Sequence, residues 1–221
     1  MRYWLMDPLH LAIALGPLSV YLVLLGVINL SKRPFITNGA RDGAALGVAI
    51  GGLIVAGPME LFLPEATAFR VGAFVWVLLL AFYVLCLTLF VLLMRPRLVI
   101  YNIHRDEIRP LLATLVNELD RDAKWAGECL MLPNLGVQLQ VETFAAMRVV
   151  QLVSAGPQQS YEGWQKLERA LSQALRQTSR TRNPLGFSLV CCGMLLVALV
   201  TTCMIRDAAT VAQSLKEMLR F

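Results

Sequence analysis

Four stretches of the chain are apolar almost throughout: Leu9–Leu30, Gly43–Leu63, Val71–Met94 and Leu185–Ile205. A helix needs about 20 such residues, at ~1.5 Å each, to cross the hydrocarbon of a bilayer. Each run is long enough, so the pattern predicts four transmembrane helices. The first could be taken for a cleaved leader, but its apolar core is too long. It ends in Ser31-Lys32-Arg33-Pro34, a basic stop and turn, rather than a small-residue cleavage site. Gly16-Pro17 is expected to kink it, because proline withdraws a backbone donor. In the second run Gly43, Gly47 and Gly51 recur every four residues and share one helix face. Such a face lets another helix approach, either within the chain or in a second copy. Gly57-Pro58 loosens the end of this run, and Glu60 stands in its last turn. Trp76, Phe82, Tyr83 and Phe90 give the third run its bulk, and Arg95-Pro96-Arg97 ends it. The fourth begins after Asn183-Pro184, with proline pre-set for a first helical turn.

Between the third and fourth runs the period changes. Leu98–Ile103 reads as a strand. Ile108, Leu111, Leu112, Leu115, Val116 and Leu119 recur at helical spacing, with regular helix beginning near Pro110. Glu128–Leu132 is a short strand, and Pro133–Gly136 is a turn signal. Val137, Leu139 and Val141 alternate with Gln138, Gln140 and Glu142, the mark of a strand apolar on one face. Met147–Ser154 reads as the next strand. Tyr161, Trp164, Leu167, Leu171 and Leu175 define a second amphipathic helix. The order is β-α-β-β-β-α. One-sided strands and two one-sided helices predict two layers, with both helices on one face of a small, mostly antiparallel sheet. The fold class is thus a membrane all-α protein with an inserted small α+β domain. Residues 1–97 carry three spans, 98–180 form the domain, and 181–221 hold the fourth span and a short amphipathic tail.

Composition agrees. The chain is 57% hydrophobic and only 16% charged, with mean hydropathy +0.62, whereas a soluble domain carries about 25% charge. The net charge of +5 is read as helix flanks, since no aromatic platform interleaves the basic residues as nucleic-acid binding would need. Lys32, Arg33, Arg41, Arg95, Arg97, Arg176, Arg180 and Arg182 fall on one side. Arg2, Arg70, Arg206, Lys216 and Arg220 fall on the other. The positive-inside rule then puts 98–180 in the cytosol and both termini outside a plasma or inner membrane. The basic residues at the span ends can also meet anionic lipid. The five cysteines are odd in number and form no C-x-x-C, which argues against disulfides and zinc.

Candidate chemistry is sparse. His104-Arg105-Asp106 spells part of a kinase catalytic loop, but residues 107–111 do not continue it and no glycine-rich phosphate loop precedes it. His104 is better placed to flank a helix start. The span centres hold no ionisable residue, so transport by a single copy lacks its usual groups. The expectation is therefore no enzyme, no cofactor and no metal. The chain reads as a membrane-anchored interaction, scaffold or regulatory module whose partners are the bilayer and a protein, or a second copy of itself. The alternative is a small transporter or pore-forming subunit acting as an oligomer.

Overall fold

The computed structural model describes residues 8–59, 74–157, 159–177 and 183–219. The chain divides into two compact units. One comprises Met1–Leu25, Gly43–Leu92 and Ser188–Phe221; the other comprises Gly26–Asp42 and Leu93–Phe187.

Four helical segments are long and apolar enough to cross a membrane: α1 (Pro8–Leu30), α2 (Gly39–Ile54) taken with the turn that continues it to Gly57, α3 (Phe74–Leu93) and α6 (Pro184–Arg206). α2 passes into a π-helical turn, Val55–Met59, at Gly57-Pro58. A proline that cannot donate to the ladder favours such a widened turn. Glu60, Arg70 and the start of the third apolar run lie outside the described residues. α7 (Ala208–Leu219) follows α6 after Asp207.

In the helical unit α1 stays helical through Pro17. Proline leaves the carbonyl four residues earlier, that of Ile13, without its intrahelical donor. Gly52 of α2 sits against that same carbonyl, so closely that any Cβ would overlap it. Gly193 of α6 also lies close to α1, where a Cβ would stand 3.0 Å from the Ser19 carbonyl oxygen.

The other unit holds a six-stranded antiparallel sheet in the order β1-β2-β6-β5-β4-β3. The strands are β1 (Phe35–Asn38), β2 (Arg97–Tyr101), β3 (Lys124–Ala126), β4 (Cys129–Leu132), β5 (Val137–Phe144) and β6 (Val149–Ser154). Four of these were expected. β3 is only three residues long and exposed throughout, too short to show alternation. β1 comes from the stretch expected to be a basic loop between the first two apolar runs. It pairs with β2 in the register Phe35↔Tyr101, Ile36↔Ile100.

α4 (Arg105–Leu119) and α5 (Tyr161–Arg176) bury Ile108, Leu112, Val116, Trp164, Leu167 and Leu171 against Leu98, Ile100, Leu139 and Leu152 of the sheet. α4 starts at Arg105, before Pro110. The Glu107 carboxylate accepts from the His104 N–H at 3.3 Å and fixes the first turn. Pro110 forfeits only one backbone bond, on an exposed face of the helix. Asn102 at φ 61° ends β2 two residues early, and the turn Ala145–Met147 with Arg148 at φ 51° delays β6 to Val149.

Candidate functional site

The segments that leave the long helices meet the sheet within the same unit, those of α1 and α6 at the Phe35–Tyr101 end and those of α2 and α3 at the Asn38–Arg97 end, and polar side chains join them to it. Asn183 stands immediately before α6 and caps it: the Leu185 N–H donates to its Oδ1 at 3.1 Å. Its own N–H donates to the Asn29 carbonyl at 3.2 Å, and its Nδ2 to Asn29 Oδ1 at 3.2 Å. Asn29 lies in the last turn of α1. Both asparagines are buried, at 3% and 2% exposed. The end of α1 and the start of α6 are thus bonded side by side. A small residue repeats the message one turn on, for a Cβ on Gly186 would lie 2.8 Å from the Gly26 carbonyl oxygen.

The sheet is tied into the same seam. Asn183 Nδ2 also donates to the Met147 carbonyl at 3.3 Å, in the β5–β6 turn. Asn102 Nδ2 donates to the Ser31 carbonyl at 2.6 Å, just past α1. The Tyr101 hydroxyl donates to Asp42 Oδ1 at 2.6 Å, in the first turns of α2. Asn38, the last residue of β1, accepts from the Ala40 N–H at 3.0 Å and so starts α2. That cap carries α2 four residues further toward the sheet than the apolar run alone implied. The short left-handed turn at Asn102 suits an asparagine, which tolerates positive φ better than other non-glycine residues.

The basic residues singled out in the sequence divide around this seam. Lys32 and Arg33 are exposed directly after α1, Arg41 is exposed in α2, Arg95 is exposed ahead of β2, and Arg176 is exposed at the end of α5. Arg97 differs. It is half-buried in β2, with its side chain laid against Gly39, so a Cβ there would strike it, and its Nε is buried without a partner. Arg180 and Arg182 lie outside the described residues.

The glycine face of α2 sits in the helical unit. Gly43 and Gly47 are buried. Gly47 is met by the Leu87 side chain and Gly51 by the Tyr83 ring at 3.2 Å, both from α3 of the same chain. The Tyr83 hydroxyl donates to the Gly47 carbonyl at 2.6 Å.

A second polar cluster belongs to the sheet unit alone. Asp120, 2% exposed, ends α4. Its carboxylate accepts from the Asn134 N–H at 2.8 Å, the Asn134 side chain at 2.7 Å and the Asp122 N–H at 3.0 Å. Burial opposes its charge, but the hydrogen bonds from Asn134, Asp122 and Leu135 outweigh that and hold its pKa below the ordinary carboxylate value. Its work is to pin the end of α4 to the β4–β5 turn.

His104 is exposed at the start of α4, and Arg105 beside it pairs with Glu128. A void of about 10 Å³ beneath that pair, between Ile108, Trp125 and Val141, has room for one water. Among the described residues, no three His, Cys, Asp or Glu side chains group as metal ligands.

Sequence reasoning passed over Asn29, Ser31, Asp42, Tyr101 and Asn102. The signal available was a polar amide at each end of an apolar run, Asn29 and Asn183, whose pairing across 154 residues only the fold reveals. No family model matches this chain, and comparison with curated proteins and with solved structures finds no match.

Proposed function

We propose that this chain is a multi-pass integral membrane protein whose sheet unit is a membrane-anchored interaction or regulatory module. It lies on the cytosolic side of a plasma or inner membrane, with both termini outside. Four apolar helices of spanning length and the bias of Lys and Arg toward the sheet-bearing segments support the topology.

The observation that carries the functional reading is the seam. The sheet is tied to the helix ends directly. Its edge strand β1 is the connection between α1 and α2, and its β5–β6 turn is bonded to the cap of α6. A shift of one helix end against another would therefore be felt in the sheet, and a partner docked on the sheet would be felt at the helix ends. The coupling needs a discrete two-state element to act as a switch, and the Asn29–Asn183–Met147 cluster is our candidate for it. The sheet face opposite α4 and α5 leaves Cys129, Met131, Gln140 and Glu142 exposed, which suits a protein partner of mixed character. Gly47 and Gly51 are already occupied by α3. An oligomeric pore built on that glycine face is accordingly the weaker reading.

Two measurements test this. A single cysteine at Gln140, in a chain whose five native cysteines are replaced, should react with an impermeant reagent only after cells are opened. Labelling in intact cells would invert the topology. A photoreactive residue at Gln140 should give one discrete protein adduct in cells, lost on Asn183→Ala. A featureless smear, or the same adducts from a control position at Leu85, would sink the module.

A further inference from the structure

We infer that the tip of the β5–β6 hairpin is seated in the headgroup region of the bilayer, so that the sheet meets the membrane surface through exposed apolar side chains flanked by basic residues. The inference rests on the reading that the long helices cross a membrane.

Its starting point is where the tip lies. Met147 accepts a hydrogen bond from Asn183, the residue just before the 23-residue helix Pro184–Arg206. Such a helix is about 34 Å long at ~1.5 Å per residue, against a hydrocarbon core of about 30 Å. Its cap therefore stands within a few ångströms of the hydrocarbon boundary. α1 also has 23 residues, and its end is bonded to the same cap through Asn29. Two helix ends thus set the level independently, and the hairpin tip is held to it.

The second observation is what the tip exposes there. Phe144 is 50% and Met147 65% exposed, although the first precedes and the second ends a turn, where polar residues are the rule. The register extends this across the sheet. Phe35 pairs with Tyr101, Tyr101 with Val149, and Val149 with Phe144. These four side chains share one face across four strands; Tyr101 and Val149 are buried, and the row comes to the surface at its two ends. Its outer end, Phe35, is again 45% exposed. Aromatic side chains at the level of a helix end are the familiar composition of a membrane–water boundary. Charge completes the picture. Arg148 follows Met147, and exposed Lys32 and Arg33 stand three and two residues before Phe35. Long basic side chains at this depth reach outward to lipid phosphate while their stems stay apolar. The partner this chemistry fits is a phospholipid surface with an anionic component.

The test uses the full chain with its native cysteines replaced, reconstituted in phosphatidylcholine–phosphatidylglycerol vesicles. Nitroxide labels are placed singly at Phe144, Met147, Gln140 and Ala198. Collision with oxygen, which favours lipid, is compared with collision with a water-soluble nickel chelate. The label at Ala198, inside α6, should read deep. Those at Phe144 and Met147 should read shallow, with an oxygen-to-nickel ratio several-fold above that at Gln140, which should read aqueous. If Ala198 reads deep while Phe144 and Met147 match Gln140, the inference is overturned and the membrane reading stands. If Ala198 itself reads aqueous, both fall. Labelling Phe144 and Met147 in separate chains keeps a local fold defect at one from deciding the result.

Discussion

The two units use the same side chains in opposite ways. In α5 Leu167 and Leu171 are fully buried. In α3 Leu85 is 65% and Leu92 76% exposed, and Val75 is the only buried residue among those described in that helix. A sheet that hides its leucines is built for water, where removing apolar surface is the main driving force. A helix that displays them gains nothing from hiding them. Such a helix suits hydrocarbon, which demands that every backbone group be satisfied within the segment. The sharpest way to expose that difference is to shorten a leucine in each. Leu167→Ala should destabilise the sheet unit by about 2–5 kcal/mol, the transfer and cavity cost of a buried leucine. Leu85→Ala should change stability by less than about 0.5 kcal/mol. Denaturant melts of the detergent-solubilised protein read both. Equal losses would mean that α3 packs as a water-soluble core helix does.

Charge reverses the ranking. Leu85→Arg should raise the cost of inserting α3 by about 2.5–3.5 kcal/mol, seen as a fall in the membrane-integrated fraction in a translocation assay. Gln140→Arg, on the exposed sheet face, should stay within about 0.5 kcal/mol of the parent. An α3 that tolerates arginine as well as β5 does would put water, not lipid, around it.

How much of this could be read from residues alone follows the same division. The apolar runs were legible because length and hydropathy are local properties; α1 and α6 match theirs to within a residue at each end, whereas α2 begins four residues before its run. α4, α5 and the alternating strand β5 were legible because period is local too. β1 was not. Four residues, Phe35–Asn38, carry too little alternation to announce a strand, and they form one only because β2 offers an unpaired edge about 60 residues later in the chain. The seam was hidden for a related reason. Asn29 reads as one tolerated polar residue near a helix end, and Asn183 as an ordinary start signal. Only their mutual bond makes them a site. The glycines of α2 were visible as a face, but nothing in a four-residue spacing says which helix fills it.

A subtler probe falls on the seam inside the sheet unit, where helix ends meet strands. Asn183→Ala removes the α6 cap and both side-chain links, to Asn29 and to Met147. Loss of a capping asparagine costs about 1–2 kcal/mol. Hydrogen exchange should accelerate at the start of α6 and in the β5–β6 turn together, while α3 amides stay protected. Acceleration at α6 alone would show that the cap matters and the coupling does not.

The smallest expected effect separates the units by pH. Asp120 is a buried carboxylate in the sheet unit, and its pKa is held below the ordinary value by hydrogen bonds from Asn134, Asp122 and Leu135 against the cost of burial. A group whose folded pKa is depressed adds stability that is fully present above its unfolded value, about pH 4. That stability is lost as pH falls through the folded pKa. Acid should therefore loosen the clamp between α4 and the β4–β5 turn, whereas the described part of α3 has no carboxylate to protonate. Asp120→Asn keeps the shape and removes the titration. The stability gap between parent and variant, from denaturant melts at stepped pH, should be widest near neutrality. It should narrow only below pH 4, because the lowered pKa keeps the carboxylate charged until then. A gap that stays constant down to the lowest pH reached would mean that Asp120 holds the turn by shape, and that its charge contributes nothing.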